Sequence, residues 1–229
     1  MKIKIISWNI WVDCNFEQVA KFLKASSADI IGLQEVRTDD KNRDVISFLS
    51  SLGYDYVYAL VQKWKQPKFN FGPAIFSKYP IKEEQTYMLS KTDERVAVEA
   101  DIDINGKVLH IFNTHLIHTH QQPSDIQDEQ GDNLIKLLPS EQTIVMGDFN
   151  ATPESEVIKK MRGVMKDTCM TSAPTLNASL FDCPGCDQKT ISDTRLDYIF
   201  TTKDISVESF KVEKSKASDH LPVLTVIDI

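Results

Sequence analysis

Cysteine is scarce, with four in 229 residues, too few for a disulfide-stapled scaffold. Long apolar runs are missing as well: no stretch approaches the roughly eighteen residues that cross a bilayer. Basic charge is in deficit, since 26 Lys and Arg stand against 33 Asp and Glu for a formal net charge of -7. A chain so balanced is not built around a broad phosphate-binding surface, though a local basic patch leaves nucleic acid open as a partner. Low-complexity segments, charge blocks and linkers are also lacking. The length suits one sizeable core and is short for two typical domains, so residues 1–229 are expected to form a single domain. The opening "MKIKIISWNI" alternates like a strand, and its apolar part is too short for a signal peptide. The expectation is a fold that begins at Met1, in a cytoplasmic monomer.

What remains is an ordinary globular composition, 41% hydrophobic and 26% charged. Period-two segments predict strands over 2–9, 29–35, 54–61, 71–77, 80–89, 95–104, 107–115, 142–147, 195–201, 205–212 and 221–228. Helical spacing predicts helices over 15–26 after an Asn15 cap, over 42–52 up to Gly53, around 124–138, and in a short piece opened by Pro153. Asn105-Gly106 is a hairpin signal. Residues 163–194 read as loop. Helices at both ends of a strand-rich chain predict two packed sheets with helices outside.

Several apolar runs stop abruptly in polar groups. "IISWN" ends in Asn9, "IIGLQE" in Glu35, "LHIFNTH" in Asn113 and His115, and "IVMGDFN" in Asp148 and Asn150. In "RLDYIF" and "SDHLPVLTV" the order reverses, with Asp197, Asp219 and His220 leading the apolar run. If the last two strands run antiparallel to the others, all these groups meet at one sandwich edge, where sites commonly sit. Glu35, Asp148 and Asp219 would repel one another there, and a hard divalent cation relieves that. An oxygen-rich donor set favours Mg²⁺ or Mn²⁺ over Zn²⁺. The two histidines titrate near neutrality. Together these groups suit in-line attack of water on a phosphoester.

The motifs "SWNI", "LQEV", "NTHL", "GDFN", "RLDYIF" and "SDHLPV", in that order over residues 7–223, resemble those of the endonuclease/exonuclease/phosphatase superfamily, the DNase I-like group. The resemblance implies an α/β fold, a four-layer sandwich of two packed mixed β-sheets flanked by helices, and a Mg²⁺-dependent phosphoesterase. It implies that Glu35 binds the metal, that Asn9 supports that carboxylate, and that Asp219 lies near the metal or a second one. Asp148 would orient and deprotonate the attacking water, and Asn150 would grip a phosphate oxygen. Asp197 would fix the tautomer of His220, and His220 would contact the scissile phosphate. Whether Asp148 or His220 is the base stays open. His115 would stabilise the transition state or protonate the leaving oxygen. It places the chain with the histidine-bearing branch, because abasic-site endonucleases typically carry tyrosine there. Arg95 and Asn113 are expected on the substrate side. "FGPAIFSKYPI" resembles the "GNAILSRYPI" pattern of the sphingomyelinase-like and uncharacterised bacterial branches but has Pro73 in place of the usual asparagine, and no long DNA-invading insertion is present.

Two clusters have alternative readings. "HLIHTH" sets His118 and His120 beside His115; strand alternation scatters such side chains, which favours a substrate-facing loop over zinc. "CPGC" at 183–186, with Cys169 upstream, offers three zinc ligands or a redox pair, but a lone C-x-x-C is a weak signal and Pro-Gly reads as an ordinary turn. "QKWKQPKFNF" interleaves Lys63, Lys65 and Lys68 with Trp64, Phe69 and Phe71. That fits either a stacking platform for a short single strand or a solvated hairpin with inward aromatics. The expected function is a phosphodiesterase or nuclease. The alternatives are a phosphatase or phospholipase-C-type hydrolase of a phospholipid or inositol phosphate, and an inactive binding module. Every matched position keeps a competent side chain, which disfavours the module.

Overall fold

The computed structural model describes residues 1–13, 15–60, 71–169, 171, 173–177 and 194–229. The lysine–aromatic stretch up to Asn70 and the Cys183–Cys186 pair lie outside the described residues. In chain order the strands are β1 (Lys2–Asn9), β2 (Ile30–Arg37), β3 (Asp55–Tyr58), β4 (Phe71–Ser77), β5 (Ile81–Met88), β6 (Val96–Ile104) and β7 (Lys107–His115), followed by β8 (Thr143–Asp148), β9 (Lys166–Asp167), β10 (Asp197–Thr201), β11 (Ser206–Val212) and β12 (Val223–Asp228). The helices are α1 (Phe16–Ser26), α2 (Val45–Ser51), α3 (Asp125–Leu137) and α4 (Glu156–Val164).

Two six-stranded sheets result, ordered β11-β12-β1-β2-β4-β3 and β5-β6-β7-β8-β10-β9. Strand alternation sorts the apolar side chains into three layers. Ile3, Ile5, Ile30 and Ile75 of the first sheet meet Val98, Ile111, Met146 and Ile199 of the second. Their neighbours Ile6, Trp8 and Ile31 turn outward against Val19 and Leu23 of α1 and Leu49 of α2. Phe112, Val145 and Tyr198 turn outward against Leu134 of α3 and Val157, Ile158 and Met161 of α4. This is the expected four-layer sandwich. Sheet-to-sheet contact is close enough that a Cβ on Gly32 would lie 2.6 Å from the Met146 side chain.

Local boundaries differ where capping chemistry differs from the expectation. Asn15 precedes α1 but its side chain makes no capping hydrogen bond. Asp44, by contrast, accepts the backbone N–H of Ser47, so α2 starts at Val45. Pro153 lies in a turn closed by Ser155 N–H to Thr152 C=O, and α4 begins only at Glu156. The long predicted loop contains the end of α4 and β9. The Asn105-Gly106 hairpin holds, with φ of 55° and 89° as the tight turn requires.

β9 supports the functional end. Arg195, just before β10, forks onto the Asp167 carboxylate at 2.9 and 2.7 Å and stacks 4.1 Å from the Tyr198 ring. Burial pushes Asp167 up, but the hydrogen bonds and charges of Arg195 and Arg162 outweigh it and leave its pKa below the usual value. A depressed carboxylate stabilises the fold fully above the unfolded pKa, about 4, and loses that contribution as pH falls through the folded one. Arg195→Ala leaves Asp167 with only Arg162, at 2.9 and 3.1 Å, as its cationic partner, and is expected to cost about 1.5–3 kcal/mol in urea unfolding at neutral pH. The deficit should shrink as the pH is lowered below about 4. An unchanged unfolding midpoint would remove the pair from the account.

Candidate active site

Strand pairing gathers the polar strand ends. β7 and β8 are parallel with His115 opposite Asp148, and β10 is antiparallel to β8 with Asp197 opposite Asp148. β1 runs parallel to β2 and antiparallel to β12, so Asn9 and the residues just before Val223 share an edge. The postulated antiparallel arrangement is therefore observed. Gly147 lets β8 run close to β7: at φ 152°, a Cβ there would sit 2.1 Å from the Thr114 carbonyl oxygen.

Glu35 reaches the same edge by a β-bulge. Pairing steps from Leu33–Ala74 to Val36–Gly72, leaving one extra residue on β2, and Glu35 itself has φ 61°. Asn150 is also left-handed, at φ 49°. Such non-glycine conformations cost roughly 1–3 kcal/mol and concentrate at functional sites.

Asp148 is the hub. Its Oδ1 accepts the Asn150 backbone N–H at 2.8 Å, and its Oδ2 accepts the Asn9 amide at 3.0 Å. The same Oδ2 lies 3.4 Å from His115 Nε2 and 3.6 Å from His220 Nε2. Asn9 also donates to Glu35 Oε1 at 3.2 Å. On its far side, His220 Nδ1 lies 2.9 Å from Asp197 Oδ2. The single Ser218 hydroxyl hydrogen lies between the Asn9 carbonyl oxygen at 2.7 Å and Asp219 Oδ1 at 3.1 Å.

The environment divides the charges. Burial opposes a charged His220, but Asp197 and Asp148 outweigh it and hold the ring well above the ordinary histidine pKa. Burial, then the nearby Arg95 cation, pushes His115 well below it. The two rings are thus driven in opposite directions. Burial and then the charge of Asp219 push Glu35 up to about 7. Burial also raises Asp219 and Asp148.

These carboxylates fit a cation. The charge of Asp219 helps raise Glu35, and carboxylate oxygens of this kind suit a hard divalent ion. Asp148, Asp197 and His220 form the tighter group, with donor atoms within 4.8 Å and all three residues buried. There, however, Asp197 and His220 are bonded to each other. A further group, Glu99, Asp101 and His110, faces away from this edge on β6 and β7. His110 Nδ1 lies 2.6 Å from Asp101, and Tyr87 donates to Glu99.

Asn9, Glu35, His115, Asp148, Asn150, Asp197, Asp219 and His220 are thus brought together. Arg95 is buried nearby, with Nη1 3.4 Å from the His115 carbonyl oxygen and Nε 3.3 Å from Asp93. Asn113 departs from the expected substrate contact. It is fully buried, donates to the Leu33 and Ala74 carbonyls at 2.8 Å each, and accepts from Gln34 at 2.7 Å. Its amide ties the two sheets together instead. Supporting residues not singled out from sequence are Gln127, Thr175 and Ser218. Gln127 Nε2 shares its two hydrogens among the carbonyls of Ile117, Phe149 and Asn150, all within 3.2 Å, fixing two site loops on α3. Its one legible sign is a polar residue on the buried face of that helix. Thr175 Oγ1 accepts the backbone N–H groups of Leu196 and Asp197.

The Endonuclease/Exonuclease/phosphatase family model matches residues 6–220, and the chain belongs to that family of phosphoester hydrolases. Several solved structures share its fold. An endonuclease/exonuclease/phosphatase from Bacteroides vulgatus superposes with a TM-score of 0.81 at 21% identity, covering 100% of this chain and 99% of that one. The human nocturnin catalytic domain with bound sulfate anion gives 0.75 at 22%, covering 99% and 94%. A mannosyl-6-phosphatase from Bacteroides thetaiotaomicron gives 0.69 at 17%, covering 99% and 100%. No curated protein sequence matches the chain. Among the described residues, no helix is long and apolar enough to cross a membrane.

Proposed function

We propose that this chain is a Mg²⁺- or Mn²⁺-dependent phosphodiesterase that hydrolyses its substrate by in-line attack of water, with nucleic acid among its substrates. The observation that carries the reading is the Asp148 carboxylate, buried and contacted by Asn9, His115 and His220, beside the mutually repelling Glu35 and Asp219.

Glu35 and Asp219 would hold the cation, with Asn9 steadying Glu35. The cation, when bound, supplies Lewis-acid polarisation of the phosphoryl group. Asp148, fixed by two N–H donors, orients the water and takes its proton. Asp197 keeps the His220 ring oriented through Nδ1, so that Nε2 is turned toward the phosphoryl oxygens. His115 offers an N–H to the charge that builds on those oxygens or to the leaving oxygen. Asn150 has one amide hydrogen on the Leu116 carbonyl and uses the other for a phosphate oxygen. Arg95 adds positive potential from behind the site.

A substrate panel in Mg²⁺ tests this: single- and double-stranded DNA, RNA, sphingomyelin, inositol phosphates and bis(p-nitrophenyl) phosphate. Diester cleavage, DNA or RNA included, is expected, and excess chelator should abolish it. With few basic side chains, apparent affinity for an oligomer should fall with salt at a log–log slope of about two to three. Turnover of sphingomyelin or inositol phosphates alone would assign the site to a phospholipase-C or phosphatase instead.

A further inference from the structure

The turn that follows His115 carries hydrogen-bonding capacity that nothing among the described residues uses. Nε2 of His118, Oγ1 of Thr119 and Nε2 of Gln121 are all buried without a hydrogen-bond partner. Native structures pair nearly all such groups, and each exception calls for an explanation. Here three fall within four consecutive residues. The backbone is constrained too: His120 and Gln121 are both left-handed, at φ 52° and 58°, and Gln122 N–H closes the turn on the Thr119 carbonyl at 3.0 Å. Helix α3 anchors its base, since Ile117 N–H donates to Gln130 and the Ile117 carbonyl accepts from Gln127, each at 3.0 Å. The turn is therefore held in place rather than left to find its own partners.

Its position is beside the reacting groups. His118 lies within electrostatic reach of Asp148, His220 and Arg95, and its ring centroid is 4.6 Å from that of His120. Its chemistry is one-sided. An imidazole nitrogen, a hydroxyl and an amide nitrogen can each donate a hydrogen bond, and residues 118–122 contain no carboxylate. Three groups able to donate, set on one short turn that carries no carboxylate of its own, match an oxygen-rich anion. We infer that the His118–Gln121 turn is a subsite for a second, non-scissile phosphoryl group of the substrate, adjacent to the diester that is cleaved. This rests on the phosphodiesterase reading for its place in a reaction, but the binding it describes is measurable without turnover.

The probes are thymidine dinucleotides that differ only in a terminal phosphate: TpT, pTpT and TpTp. Calorimetric titration in magnesium-free buffer should show one phosphorylated form binding about tenfold more tightly than TpT. His118→Ala and the near-isosteric Thr119→Val should each shrink that ratio several-fold, and His118→Gln, which restores an N–H donor, should recover part of it. In Mg²⁺ the same preference should appear in KM rather than kcat. Equal affinity of the unaltered protein for all three probes would overturn the subsite. So would a ratio that survives both substitutions. Preferential binding without cleavage in Mg²⁺ would keep the subsite and remove the phosphodiesterase reading, so the two failures are distinguishable.

Discussion

Asp148→Asn is expected to lower kcat on a phosphodiester by about a thousandfold or more, with the fold intact. The size follows from what the carboxylate does in the proposed chemistry. It positions the water and takes the proton, and the substitution removes both at once. Stability responds to opposing effects. Burial disfavours the Asp148 charge, and the Oδ1 contact with the Asn150 N–H can be kept by the new amide oxygen. At Oδ2, however, the new amide nitrogen faces the Asn9 amide donor at 3.0 Å and His220 Nε2 at 3.6 Å. Urea unfolding should thus stay cooperative with a modestly lowered midpoint, alongside the kinetic loss. Activity within tenfold of normal would show that another group is the base.

The second large effect concerns the His220–Asp197 unit. His220→Ala should cost on the order of a hundred- to a thousandfold in kcat, the usual scale for a positioned acid–base or charge-stabilising group. Asp197→Ala should cost less alone, because the ring remains but loses its 2.9 Å partner. The double substitution should cost little more than His220→Ala, since residues that act as one unit are strongly non-additive. Asp197 is buried and directly opposite Asp148 across the strand pair, so an independent role is a real alternative. Multiplication of the two single effects would assign Asp197 to packing of β10 instead.

The site was legible because each of its members interrupts an apolar strand. Asn9, His115 and Asp148 are strand-terminal in the structure as in the pattern, and the antiparallel sense of β10 and β12 follows from their reversed order. What the pattern hides is backbone geometry and side-chain bonding. Glu35 ends its apolar run in sequence, but its β2 strand continues to Arg37, and only a bulge turns the carboxylate to the edge. No residue preference announces that bulge. Asn113 sits one strand alternation from His115 and reads the same way, yet it faces the neighbouring sheet and bonds there. Gln127 acts across helix and loops distant in sequence, which periodicity does not encode. Asn15 has the right identity for a cap, but identity alone does not make the hydrogen bond.

The central claim is that the carboxylates at this sheet edge bind a divalent cation that hydrolysis requires. The most direct test is the rate of bis(p-nitrophenyl) phosphate hydrolysis by chelator-stripped protein as Mg²⁺ is restored, for the unaltered chain and for Glu35→Gln. The account predicts no turnover without metal, saturable recovery in the unaltered chain, and a Mg²⁺ requirement raised at least about tenfold in Glu35→Gln, a loss of roughly 1.4 kcal/mol in binding. Full turnover in excess chelator, or the same Mg²⁺ response in both proteins, would contradict it.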